Sequence, residues 1–98
     1  MGAEQFECTS NLPFIEDAFR ACVDQACYDY GHRGYTGTIA EKAEYVIIQK
    51  DPLPFDQAQG LARSLFDESD SRIDDKWGPA GAIPLLPTGW LFFGWASS

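Results

Sequence analysis

Positive charge is what this chain has least of. Seven Lys and Arg stand against fifteen Asp and Glu, a net charge of −8 over 98 residues, with a single histidine. Affinity for nucleic-acid phosphates rests on clustered Lys and Arg, so direct binding of DNA or RNA is not expected. Long apolar runs are also missing. The most apolar window, residues 80–96, is broken by three glycines, two prolines and a threonine, too short and interrupted to span a bilayer. Residues 1–7 offer neither the basic start nor the apolar stretch of a secretory signal. Phe6 stands where a myristoylation pattern needs Ser or Thr. No membrane association is expected.

Cysteine is scarce and odd in number: Cys8, Cys22 and Cys27. Such a count does not form a secreted-style disulfide framework. Cys22 and Cys27 lie five apart in a helical pattern, about 140° around the axis from one another, and cannot pair there. Adding His32 gives neither the two-to-four-residue spacing nor the four ligands of a zinc site. The cysteines are expected to be core residues in a reducing cytoplasm, with no metal and no cofactor.

Apolar and aromatic residues, in contrast, are plentiful: 45% apolar, with seven Phe, four Tyr and three Trp. A disordered acidic tail lacks such aromatics. The chain is expected to be a single compact domain, residues 1–98, burying about 60–68% of its unfolded surface.

The clearest element is a helix over residues 12–30, where Ile15, Ala18, Phe19, Cys22, Val23, Ala26, Cys27 and Tyr30 form one apolar stripe. Asn11 is its expected cap, Pro13 sits in the first turn, Glu16 can pair with Arg20, and Gly31 ends it. A second helix is expected over 57–68, capped by Asp56, with Ala58, Leu61, Ala62, Leu65 and Phe66 inward. Gly60 within it offers room for the close approach of another backbone. Between them, Gly34, Gly37 and the run Tyr45-Val46-Ile47-Ile48 favour two hairpin strands, 36–40 and 44–48, over a helix. Further strands are expected at 82–85, placed at an edge by Pro84, and at 90–96. The order α-β-β-α-β-β predicts an α+β fold with two helices on one face of a small four-stranded, mainly antiparallel sheet.

Three groups of residues carry candidate chemistry. The glycine-punctuated segment 31–38 presents His32, Arg33, Tyr35, Thr36 and Thr38 beside accessible backbone N–H groups, an arrangement suited to an anionic metabolite or nucleotide. Its Gly31-His32-Arg33-Gly34 resembles the GxxG clamp of KH domains over four residues, and no function is carried across from them. Conceivable acid–base groups are His32, Tyr35, Thr36, Glu41, Lys42 and Glu44. No nucleophile–base motif is present, so enzymatic activity is the less expected outcome and no catalytic residue is assigned.

The second group is acidic. Residues 67–75 hold five acids against one Arg, including Asp67, Glu68, Asp70, Asp74 and Asp75. They lack the central glycine and ligand spacing of a calcium loop. With Asp24, Asp29, Asp51 and Asp56 they form a candidate carboxylate surface mimicking a nucleic-acid backbone. The third group is aromatic: Trp77, Trp90, Phe92, Phe93 and Trp95. Trp90, Phe92 and Gly94 share one strand face, and Leu91, Phe93 and Trp95 the other. An apolar strand on both sides is either central or meets a partner with its second face.

Size and charge are similar to those of small inhibitors from phages and mobile elements, anti-CRISPR proteins included. The resemblance implies a non-enzymatic interaction protein that occludes a basic or nucleic-acid-binding groove of a protein partner. A small-ligand protein using segment 31–38, and a homodimer through the aromatic strand, are the alternatives.

Overall fold

The computed structural model describes residues 3–30, 39, 42, 44–74 and 78–97. The elements follow in the order β1 (Ala3–Ser10), α1 (Ile15–Tyr30), β2 (Tyr45–Ile47), α2 (Phe55–Asp67), β3 (Ala80–Pro84) and β4 (Trp90–Ser97). The four strands form one sheet in the order β1-β4-β3-β2. β1 pairs antiparallel with β4 from Ala3↔Ser97 to Ser10↔Trp90, and β3 pairs antiparallel with β4 on its other side. β2 joins parallel to β3, with Tyr45 opposite Ala80 and Ile47 opposite Ala82. The α+β class, the two helices and the mainly antiparallel four-stranded sheet are those expected from sequence.

Register assigns the side chains of the sheet to two faces, because residues alternate along each strand. Phe6, Ala80, Ala82, Phe92 and Ala96 pack with Ala18, Cys22 and Ala26 of α1, and Phe19 and Tyr45 close around them. Leu91, Phe93 and Ile83 pack with Ala58, Ala62, Leu65 and Phe66 of α2. The helices therefore cover opposite faces, not the single face expected. The reason is topological. β1, β2 and β3 all run the same way, α1 carries the chain from one edge of the sheet to the other, and α2 brings it back one strand. Parallel crossovers share one hand, so two crossovers travelling in opposite directions fall on opposite faces.

Other differences have local causes. The strand β1 was not expected, because only Phe6 and Cys8 mark the period of two in a polar stretch. The run at 44–48 is a strand over Tyr45–Ile47, but its partner is β3 and not a hairpin with 36–40. Of that second segment, residues 36–38 and 40 lie outside the described residues, and Ile39 is buried, accepting the Lys42 N–H. β3 is internal although it ends in Pro84. Proline is tolerated there at the last strand residue, where its carbonyl accepts the Leu53 N–H. α1 starts three residues later than expected, so Asn11 does not cap it. α2 is preceded by Pro54 at its cap, with no side-chain cap bond, and Asp56 lies in its first turn. A side chain at Gly60 would meet nothing within 4 Å, so close backbone approach does not explain it. At Gly81 a Cβ would fall 2.7 Å from the Phe93 ring, and Gly89, at φ +114°, backs onto Ser10.

The cysteines depart most from expectation. Cys8 of β1 and Cys22 of α1 form a disulfide, with Cα atoms 6.1 Å apart and a sequence separation of 14. Sequence spacing within the helix compared Cys22 only with Cys27, whereas the partner lies on an unforeseen strand. A pairing of this kind does not support the reducing compartment inferred from cysteine count. Closing a loop of this length removes unfolded-state entropy worth about 3 kcal/mol. Cys22→Ser, or reduction of the native chain, should therefore lower unfolding free energy by about 2–4 kcal/mol in denaturant melts. Equal stability with and without reductant contradicts the crosslink.

Candidate functional site

The aromatic group is divided by the fold. Phe92 and Phe93 are both at 0% exposure. Phe92 meets Phe19 edge-on at 5.3 Å between ring centroids, and Phe93 meets Phe66 at 5.7 Å. Each ring removed from water contributes about 1.5–3 kcal/mol, and neither is open to a partner. The second apolar face of β4 is covered by α2, so the strand is central and its double-sided pattern needs no second protein. Trp90 is half-buried, and its indole N–H donates to the Pro13 carbonyl at 3.1 Å. Trp95 packs edge-on against Phe66, and its buried indole N–H has no acceptor among the described residues. Trp77 lies outside the described residues, as do Asp75 and the ligand-binding candidates His32, Arg33, Tyr35, Thr36 and Thr38.

The acidic loop is ordered by its own arginine. The Asp70 carboxylate accepts the Arg72 backbone N–H at 2.9 Å and two guanidinium N–H groups at 3.0 Å. Ile73, at 1% exposure, plugs the loop into the core beside α2. Asp67, Glu68 and Asp74 stay exposed around this anchored turn. No group of three or more potential metal ligands occurs among the described residues. The Arg72 hydrogen bonds, side-chain first and then backbone, hold the Asp70 carboxyl down from 3.8 to about 2. A depressed carboxyl stabilises the fold fully above its unfolded value, and that contribution is lost as pH falls from about 4 towards 2. In an NMR titration Asp70 should therefore ionise near pH 2, and Arg72→Ala should return it to the ordinary carboxylate range. An Asp70 that titrates near 4 in the native chain contradicts the loop geometry.

Lys42, one of the conceivable acid–base groups by sequence, is buried, at 6% exposure. Its Nζ donates to the Gly78 carbonyl at 2.8 Å and lies 5.9 Å from the centre of the Phe6 ring. Together with the Ala80 N–H donated to the Glu44 carbonyl, this bond fastens the entry of β3 to the segment before β2. Its ammonium thus ties two chain segments together. No local pattern signals this, because both partners are distant in sequence.

Strand direction sorts the remaining surface into two ends. At one end β1, β2 and β3 finish, β4 begins, and both helices start. Five exposed large apolar side chains belong to this end: Leu12, Phe14, Ile47, Phe55 and Leu86. Glu16 and Asp17 of α1, Asp56 of α2 and Asp51 before it are exposed there with Lys50. The acidic loop at 67–74 follows the far end of α2, at the opposite end of the molecule. The exposed apolar side chains at the helix starts and the acidic loop are therefore separated. The apolar end was missed because its residues are scattered singly through connections and element ends, where no periodicity marks them.

Among the described residues the ion pair within 4 Å is Arg72–Asp70, and the Glu16–Arg20 pair is not formed. Glu7 accepts the Gln59 side-chain amide at 3.1 Å, tying β1 to α2. No helix of the described residues is long and apolar enough to cross a membrane. No family model matches the chain, no curated protein matches it in sequence, and no solved structure matches its fold.

Proposed function

We propose that this protein is a non-enzymatic interaction protein whose exposed carboxylates occupy a basic, nucleic-acid-binding groove of a protein partner, in the manner of small phage-type inhibitors such as anti-CRISPR proteins. One observation carries the reading. The β4 rings Phe92 and Phe93 are spent on the core, while the carboxylates outside it, Asp70 excepted, have no cation within ion-pair distance among the described residues. Such an exterior repels phosphates and attracts Lys- and Arg-rich surfaces. A rigid core lets the charges present a fixed pattern, so little ordering cost accompanies binding. The protein then acts by occlusion, and its residues need no catalytic geometry.

The test is affinity capture from the native host, followed by titration of the captured partner. Affinity should fall at least about tenfold between about 50 and 300 mM salt, as screening of exposed charges requires. Duplex DNA or RNA should compete for the same groove. Affinity indifferent to both salt and nucleic acid contradicts the reading. So does a thermal-shift screen in which a nucleotide or small anion stabilises the protein by about 2.7 kcal/mol, the gain expected at one hundred times Kd. That result favours ligand binding at segment 31–38.

A further inference from the structure

We infer that the end of the sheet where both helices begin is the docking surface, and that its occupant is a basic amphipathic helix of the protein partner. This rests on the occlusion reading above and names the part of the surface that performs it.

The distribution of exposed apolar groups carries the inference. Of the six exposed large apolar side chains among the described residues, Tyr28 stands apart near the close of α1. Leu12, Phe14, Ile47, Phe55 and Leu86 come from four separate connections and element ends, yet strand direction gathers these five at one end. Singly scattered exposed apolar residues need no explanation, whereas a concentration of them marks an interface. Phe14 is 71% exposed and does not dangle. The Pro13 carbonyl before it accepts the Trp90 indole N–H, the Leu12 N–H donates to Ser10 Oγ at 3.3 Å, and the Phe14 carbonyl takes the Ala18 N–H of α1. A ring carried on a backbone fixed from both sides costs less ordering on binding than one on a loose segment. Beside it lies a depression of about 360 Å³ lined by Phe14, Ile15, Glu16 and Asp17.

Charge decides the occupant. Glu16, Asp17, Asp51 and Asp56 share this end with one ammonium, Lys50. Each of the two helix N-termini offsets about half a charge, which leaves an excess of about two negative charges around the apolar groups. A second copy of this chain would bring carboxylates against carboxylates. A helix with an apolar stripe flanked by Lys and Arg satisfies both the exposed rings and the surrounding acids.

A synthetic amphipathic helical peptide of leucine and lysine, and its leucine–glutamate counterpart, test this against the full chain by amide-shift titration. The lysine peptide should bind, the glutamate peptide should not, and the shifts should centre on residues 12–17, 47–56 and 86–90. Phe14→Ala should weaken binding at least about tenfold, as loss of a central apolar anchor does, while Asp67→Asn with Glu68→Gln leaves it unchanged. Phe14 is exposed, so its replacement does not threaten folding, and Asp51→Asn provides an independent variant that should reduce the salt dependence. Shifts confined to residues 67–74, or affinity unchanged in Phe14→Ala, overturn the docking end while leaving the carboxylate reading in place. Absence of lysine-peptide binding at low salt overturns both. Sedimentation showing a dimer that Phe14→Ala dissociates assigns the surface to a second copy and overturns the inference.

Discussion

β4 is apolar on both sides, and that constraint organises the molecule. Leu91, Phe93 and Trp95 point one way, Trp90 and Phe92 the other, and water must be kept from both rows. A central position in the sheet satisfies the backbone on both edges, since β1 and β3 supply the hydrogen bonds. The two faces then need separate cover. α1 closes over Phe92 and α2 over Phe93, an arrangement that follows once β2 is parallel to β3. Glycine at 81 leaves room for the Phe93 ring over the neighbouring strand. The disulfide and the Gln59–Glu7 contact hold the edge strand β1 from its two sides.

This use of the aromatic residues moves the functional question outwards. A strand with rings on both faces looks like a binding surface only while its cover is unknown. With Phe92 and Phe93 sealed, what lies exposed is carboxylates, the apolar side chains at the start of the helices, and Tyr28 near the close of α1. The opposite end is tied together differently, through the buried Lys42 ammonium and the Arg72-braced acidic loop. The two ends thus differ in what they expose: apolar groups among acids at one, an acidic turn with one internal Arg72–Asp70 pair at the other.

Much of the architecture was legible in the sequence. The stripes of α1 and α2 and the β-branched run at Tyr45 each carry a local signal, and the structure honours them. What escaped was set by contacts between distant segments. Phe6 and Cys8 are too few to announce β1, yet pairing with β4 makes it a full-length strand. The direction of β2 depends on which strand it joins, and local pattern does not encode that. Burial of Lys42 depends on Gly78, and the disulfide depends on the placement of β1. For the site, composition revealed the acidic exterior. The grouping of Leu12, Phe14, Ile47, Phe55 and Leu86 emerges only from strand direction.

The central claim is that one chain covers both faces of β4 with its own helices. Ring-proton NOEs in a sample shown to be monomeric by sedimentation measure it directly. Phe92 should contact Phe19 and Tyr45 while Phe93 contacts Phe66, all at intensities independent of protein concentration. Contacts of both helices to Phe92 alone, or Phe93 contacts that vanish on dilution, would contradict the account.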